Sequence, residues 1–147
     1  MGIRVFRMVW TSLLAVLLIG SAAFAADITV TKSPWCGCCA AWITHMRQAG
    51  FEVTVHEEED LTALKEKMGV EPKLQSCHTG EVEGYVIEGH VPAEDVLRLL
   101  AERPRARGLT VPGMPAGSPG MEMGDRHDAY DVLLILKDGT TEVFSKH

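Results

Sequence analysis

The sequence predicts one α/β domain in which helices pack on a small β-sheet. Three times between residues 27 and 103, a short run of strand-like residues precedes a stretch with helical periodicity. An order of strand, helix, strand, helix, strand and helix is typical of an α/β layer. Without a 25-residue leader, the remaining chain of about 122 residues is long enough for one hydrophobic core.

The leader has the pattern of an export signal peptide. Arg4 and Arg7 precede an apolar stretch from Met8 to Ile19, and Ala23-Phe24-Ala25 forms a small-x-small cleavage site. An apolar stretch of about a dozen residues is short for a membrane-spanning helix. An uncleaved membrane anchor is the alternative. We favour cleavage, export to a bacterial periplasm and no stable membrane anchor afterwards.

Each predicted element has local signals of its own. The strands are β-branched and alternating, Gly50 follows the end of the first helix, and Pro92 suits the first position of the third. The acidic run from Glu57 to Asp60 suits the start of the second helix, although we favour its interpretation as a solvated face. Strands are predicted over Asp27–Lys32, Phe51–His56 and Val82–Glu88, and helices over Cys38–Gln48, Leu61–Met68 and Pro92–Arg103.

The composition changes sharply after residue 103. From Pro104 to Gly124 there are four prolines, five glycines and three methionines in 21 residues, which predicts neither a helix nor an inner strand. Tyr130–Leu136 and Thr140–Phe144 flank Asp138-Gly139 and predict a β-hairpin. We therefore expect a domain over residues 26–103 and a Pro/Gly/Met-rich C-terminal extension over 104–147 that packs on it.

The charge balance favours cations over nucleic acids as partners. Without Arg4 and Arg7 the chain has 12 basic and 20 acidic residues. An acidic protein repels the phosphate backbone and raises the local concentration of cations.

The cysteine pattern is the strongest functional signal. Cys36, Cys38 and Cys39 fall within four residues at the start of the first predicted helix, where unpaired N–H groups favour thiolates. Two structural disulfides with the fourth cysteine, Cys77, are the plain alternative in an oxidising compartment. Adjacent Cys38 and Cys39 pair poorly with each other, so we favour a redox centre or a soft-metal site.

The surrounding donors favour a soft metal. Thiolate, thioether and imidazole ligands together select Cu(I) over hard cations. A single structural zinc ion is the alternative, although adjacent Cys38 and Cys39 suit one tetrahedral ion poorly. We interpret the other histidines (His45, His56, His127 and His147) as ordinary, and Met46 and Met68 as core residues. The candidate ligands are Cys36, Cys38, Cys39, Cys77, His78, His90, Met114, Met121 and Met123.

Two stretches resemble known thiol proteins. Pro34-Trp35-Cys36-Gly37-Cys38-Cys39 is similar to the Trp-Cys-Gly-Pro-Cys loop of thioredoxins, and Tyr85–His90 resembles the late strand and turn of glutaredoxins. Cys36 and Cys39 keep the spacing of an attacking and a resolving thiol. Thioredoxins place a cis-proline opposite this loop. Here no proline lies between Pro72 and Pro92, so a substrate-peptide clamp is not predicted.

A longer set of motifs resembles one family. The motifs are Lys32–Cys39 without Trp35, Cys77-His78-Thr79, Gly84–Ala93, Gly108-Leu109, Val111–Pro115 and Gly117–Glu122. Together they resemble the CopG-like periplasmic copper-resistance and metal-binding family, formerly a domain of unknown function with a Cys-x-Cys-Cys motif.

The resemblance implies a thioredoxin-like domain whose extension folds back to contribute to a copper site. It implies Cys36, Cys38, Cys39 and Cys77 as ligands, together with His78, His90 and either Met121 or Met123. It further implies copper tolerance in Gram-negative bacteria and Cu(I)/Cu(II) interconversion ahead of efflux, with periplasmic copper efflux components as partners.

The predicted function is therefore a periplasmic protein that holds Cu(I) in a cysteine-rich cluster, with oxidoreductase activity toward copper. One alternative is a metal-free thiol–disulfide oxidoreductase that uses Cys36 and Cys39. Another is a non-catalytic copper chaperone or storage protein with the same site.

Overall fold

The computed structural model describes residues 26–147; the predicted signal peptide lies outside these residues. No helix within the described part of the chain is long and apolar enough to cross a membrane. The strands are β1 (Asp27–Lys32), β2 (Glu52–Glu57), β3 (His78–Val82), β4 (Tyr85–Glu88), β5 (Ala106–Thr110), β6 (Asp131–Leu136) and β7 (Thr141–Lys146). The helices are α1 (Gly37–Gln48), α2 (Thr62–Lys67) and α3 (Ala93–Glu102), with a 3-10 turn at Pro72–Leu74.

All seven strands form one sheet in the order β2-β1-β3-β4-β5-β6-β7. The pairs β1–β2 and β4–β5 are parallel, and the other neighbours are antiparallel. The predicted α/β class is confirmed, and so is the C-terminal hairpin, which is β6 with β7.

The main core lies between one face of the sheet and the helices α1 and α3. Trp42 and Met46 of α1 and Leu99 of α3 are fully buried there, against Ile28 and Ile87 of the sheet. Burial of these large apolar side chains is the dominant favourable contribution to folding. A smaller cluster, which includes Val86, lies on the opposite face, because Val86 and Ile87 are consecutive in β4 and point to opposite sides.

The prediction of one strand over Val82–Glu88 is wrong, because the chain reverses within it. Glu83 and Gly84 both have positive φ, 46° and 82°, and form the two-residue turn of the β3–β4 hairpin. The first strand of that hairpin starts at His78. The stretch containing Cys77-His78 is therefore the entrance to a strand.

The expectation that residues 104–124 contain no inner strand is also wrong. Strand β5 lies between β4 and β6. A strand is possible in this stretch because its prolines fall before and after β5. Gly108 lets β5 approach closely, since a Cβ there would collide with the carbonyl of Val86 in β4. The sheet therefore continues without interruption into the C-terminal extension.

Candidate metal centre

Three chain segments meet at one edge of the sheet. Strand β1 ends at Lys32, which is paired in register with His78 at the start of the antiparallel strand β3. Strand β4 ends beside the same point, since Thr79 is paired with Glu88. The loop after β1, the entrance to β3 and the turn after β4 therefore lie together, at the kind of edge where α/β sheets place their sites.

The first segment supplies three sulfur atoms. Cys36 is the N-cap of α1, and its Sγ accepts a hydrogen bond from the Cys39 amide at 3.3 Å. Cys38 and Cys39 lie in the first turn, and the Cys36 and Cys38 sulfurs are 3.4 Å apart. Trp35, immediately before this turn, is 83% exposed.

The cluster is in a partly oxidised state. Cys36 and Cys39 form a disulfide, whereas Cys38 and Cys77 are free thiols. The pair that forms the disulfide is the one whose spacing matches an attacking and a resolving thiol.

Cys77 completes what we call the thiol cluster, defined as Cys36, Cys38, Cys39 and Cys77. Its sulfur lies 3.5 Å from that of Cys39, and all four sulfurs lie within 4.8 Å of one another. After reduction of the disulfide, four soft donors this close together suit one soft ion or several bridged ones.

Two buried histidines extend the cluster beyond Cys77. The Cys77 Sγ lies 3.3 Å from Nδ1 of His78 and 3.1 Å from Nε2 of His90. Nδ1 of His90 lies 2.8 Å from the Pro119 carbonyl oxygen, an acceptor, so Nδ1 carries the proton and donates it. The lone pair on Nε2 of His90 therefore faces the Cys77 sulfur, as in a metal-ligating histidine oriented by a carbonyl.

Both imidazoles are kept in the neutral form that metals bind. Burial lowers the pKa of His78 well below its ordinary value, and the neighbouring His90 contributes further. Burial also lowers the pKa of His90. The His78 ring lies 4.4 Å from that of Trp42, and its Nε2 is buried with no hydrogen-bond partner among the described residues.

Burial raises the pKa of Cys77, whereas a helix N-terminus lowers the pKa of a cysteine. Desolvation and the nearby Cys38 sulfur raise the pKa of Cys77 to about 11, so this residue is a neutral thiol at physiological pH. A bound cation would displace the thiol proton of Cys77, and its positive charge would stabilise the resulting thiolate.

In the protein with the Cys36–Cys39 disulfide, we expect Cys77 to react slowly with iodoacetamide near pH 7.5, because only the thiolate is nucleophilic. Its rate should rise about tenfold per pH unit until the pH approaches its pKa. Peptide mass spectrometry gives this rate. In Cys38→Ser the Cys77 rate at a given pH should increase, since that neighbour raises the Cys77 pKa. A Cys77 rate that is already constant above pH 8 would contradict this account.

The C-terminal extension contacts the centre through its backbone. Besides the Pro119 carbonyl, Gly120 packs on the first turns of α1, where a Cβ would lie 2.7 Å from both the Cys38 oxygen and the Trp42 nitrogen. Met114 and Met123 are 52% and 56% exposed, and Met121 is half-buried. Ligation by these thioethers stays a prediction.

A pair of glycine variants tests how the extension is seated. Gly120→Ala should lower the free energy of unfolding by about 3 kcal/mol, because the new Cβ meets backbone atoms of α1 and φ is +86°. Gly113→Ala should lower it by only about 1 kcal/mol, since φ is +71° but no atom lies within 4 Å. Urea denaturation measures both. Equal losses would show that Gly120 is not held against α1.

Sequence reasoning missed several polar contacts near this edge. His45, predicted to be an ordinary surface residue, is half-buried and accepts a hydrogen bond from the Ala93 amide at the start of α3. The carboxylate of Glu88 is fully buried beneath the entrance to β3 and paired with Lys65. An acidic residue within the apolar run Tyr85–Glu88 was the available signal for that pair.

Comparisons with known proteins find one matching family model and two similar solved structures. The family model described as "Protein of unknown function, DUF411" matches residues 74–121. Two solved structures of a copper resistance protein, copG form 2 and copG form 1, are 47% and 48% identical to the chain. Each match covers 84% of this chain and 98% of the other, with a TM-score of 0.80. No curated protein matches the chain.

Proposed function

Since the chain belongs to the family of the copper resistance protein copG, we propose that it binds Cu(I) through the thiol cluster. The observation that carries this proposal is the approach of four cysteine sulfurs to within 4.8 Å of one another. His78 and His90 are neutral imidazole donors beside Cys77, and both complete the proposed ligand set.

Copper fits this donor set better than zinc. A structural zinc ion takes four ligands in a tetrahedron, which adjacent Cys38 and Cys39 disfavour, whereas thiolates bridge Cu(I) ions readily. Four sulfurs at mutual distances such as 3.4 and 3.5 Å support bridging of more than one ion.

We further propose that the cluster changes the oxidation state of copper. Two cysteine thiolates that form a disulfide release two electrons, which reduce two Cu(II) ions to two Cu(I) ions. The position of Cys36 and Cys39 supports this, because the two sulfurs are placed to form the disulfide that this step requires. Thiolates favour Cu(I) and imidazoles tolerate Cu(II), so Cys38, Cys77 and the histidines are a mixed set that suits both states.

The setting of this activity is part of the proposal. The basic, apolar leader supports export to the periplasm, where copper efflux components are the expected partners. The sheet order β2-β1-β3-β4, with α1 between the parallel strands β1 and β2, supports a thioredoxin-like unit for residues 26–103.

An anaerobic Cu(I) titration of the reduced chain without residues 1–25 tests copper binding. We expect more than one Cu(I) per chain to be retained after desalting, and zinc in excess not to displace it. Absence of retained copper, together with a Cys36–Cys39 disulfide that cycles readily, would overturn the proposal in favour of a thiol–disulfide exchange enzyme.

The exchange enzyme remains a second candidate because one observation favours it. The Cys36–Cys39 disulfide sits at the start of a helix beside an 83% exposed tryptophan, Trp35, as in enzymes that attack other disulfides. Insulin reduction that is fast and insensitive to Cys38→Ser would support this function, which needs neither Cys38 nor Cys77.

A further inference from the structure

We propose that Glu88, held by Lys65, is a positioning residue that fixes Cys77 and His78 in the geometry needed for copper binding. This inference rests on the proposed copper function and adds to it a part of the chain outside the thiol cluster. Neither residue is a proposed ligand, and both lie beneath the cluster.

One carboxylate holds the chain on both sides of Cys77-His78. Oε1 of Glu88 accepts a hydrogen bond from the Ser76 amide at 2.7 Å. Oε2 accepts a hydrogen bond from the Thr79 hydroxyl at 2.7 Å. The residues immediately before and after Cys77-His78 are therefore both hydrogen-bonded to Glu88.

Lys65 fixes the carboxylate in turn. Its ammonium group lies 2.5 Å from Oε1 of Glu88 and donates to the Thr79 hydroxyl at 3.0 Å. The Lys65 and Glu88 side chains are 8% and 0% exposed. The long side chain of Lys65 thus extends from the short helix α2 to the start of the β3–β4 hairpin, where Glu88 neutralises the ammonium charge.

Stability alone does not account for such a pair. Removing two charges from water is expensive, and hydrophobic replacements of a buried ion pair are often as stable or more stable. A buried pair is better explained when it fixes one arrangement among several. Here the arrangement is that of Ser76 and Cys77, which precede β3 and so lack the ladder that holds the strand itself.

The position of Cys77 matters because its sulfur makes several close approaches at once. It must lie within reach of the sulfur of Cys39 at 3.5 Å and of Nε2 of His90 at 3.1 Å. A shift of about 1 Å would lengthen at least one of these, and changes to residues that orient metal ligands typically weaken binding 10- to 100-fold.

Two double variants separate positioning from stability. Lys65→Met with Glu88→Gln removes both charges but keeps an amide oxygen to accept from Ser76 and an NH₂ group near Thr79. Lys65→Met with Glu88→Leu removes the charges and the hydrogen bonds. We expect the leucine variant to bind Cu(I) at least about tenfold more weakly than wild type, and the glutamine variant to bind within about threefold. A Cu(I) competition titration with a chromophoric chelator measures both.

A copper-independent measurement accompanies the titration. In the metal-free proteins, amide exchange of a peptide covering residues 76–79 should be faster in the leucine variant only, and exchange in α1 should be unchanged in both. Leu99→Ala, a fully buried core site of α3, serves as the destabilised control. It should lower the free energy of unfolding without a selective effect on that peptide or on copper affinity.

Each outcome decides the inference. A folded leucine variant that binds Cu(I) as tightly as wild type would overturn it while leaving the copper function intact. If wild type binds no Cu(I), the proposed function fails first and this inference fails with it. If the leucine variant does not fold, Thr79→Val takes its place. It removes the hydroxyl between Lys65 and Glu88, and an affinity reduced severalfold supports positioning, whereas an unchanged affinity overturns it.

Discussion

Replacing Cys38 with serine is expected to remove at least one Cu(I) ion per chain from the reduced protein. A serine hydroxyl is a poor ligand for a soft cation, and the Cys38 sulfur is 3.4 Å from that of Cys36 in the thiol cluster. The measurement is copper retained after anaerobic loading and desalting. The Cys36–Cys39 disulfide does not include Cys38, so this variant should still form it after oxidation.

The matched control is Ala40→Ser. Ala40 is an exposed residue of the same helix, so the variant adds a hydroxyl near the cluster without removing a sulfur atom. It should retain as much copper as wild type. Unchanged copper content in Cys38→Ser would exclude Cys38 from the copper site.

Oxidation of the cluster is expected to have the second large effect. The protein with the Cys36–Cys39 disulfide has Cys38 and Cys77 as its free thiols, so it should retain about half or less of the Cu(I) that the reduced protein retains. Thiol quantification before loading should give two and four thiols for the two states. Copper content is then compared at equal protein concentration.

The double variant Cys36→Ser with Cys39→Ser separates loss of ligands from other effects of oxidation. It lacks the two thiols that form the disulfide, so its copper content should be low and should not change on mild reduction. Equal copper binding by the oxidised and reduced wild type would contradict the assignment of Cys36 and Cys39 as ligands.

Local sequence signals were sufficient to predict most of the helices and strands. β1 and α1 follow from an alternating run and an apolar face, and the first turn of α1 gathers three cysteines whatever the remaining fold does. The prediction of a soft-metal site also rests on residue types, because thiolate and imidazole side chains at short spacing favour soft cations.

The missing parts depend on contacts between distant residues. The acceptor for His90 is a backbone carbonyl 29 residues away, and no side-chain pattern encodes it. Glu88 meets Lys65 only because β4 and α2 come together in the fold. The Pro- and Gly-rich composition predicted no inner strand where β5 lies. Gly108 is compatible with an inner strand there because its lack of a side chain lets β5 approach β4 closely.

X-ray absorption spectroscopy at the copper edge, on the reduced protein loaded anaerobically with Cu(I), tests most directly whether the thiol cluster is the copper site. We predict an edge typical of Cu(I) and a first shell dominated by sulfur, with a smaller nitrogen contribution from the histidines that is reduced in His90→Ala. A first shell of nitrogen and oxygen atoms without sulfur would contradict the assignment and place copper elsewhere on the chain.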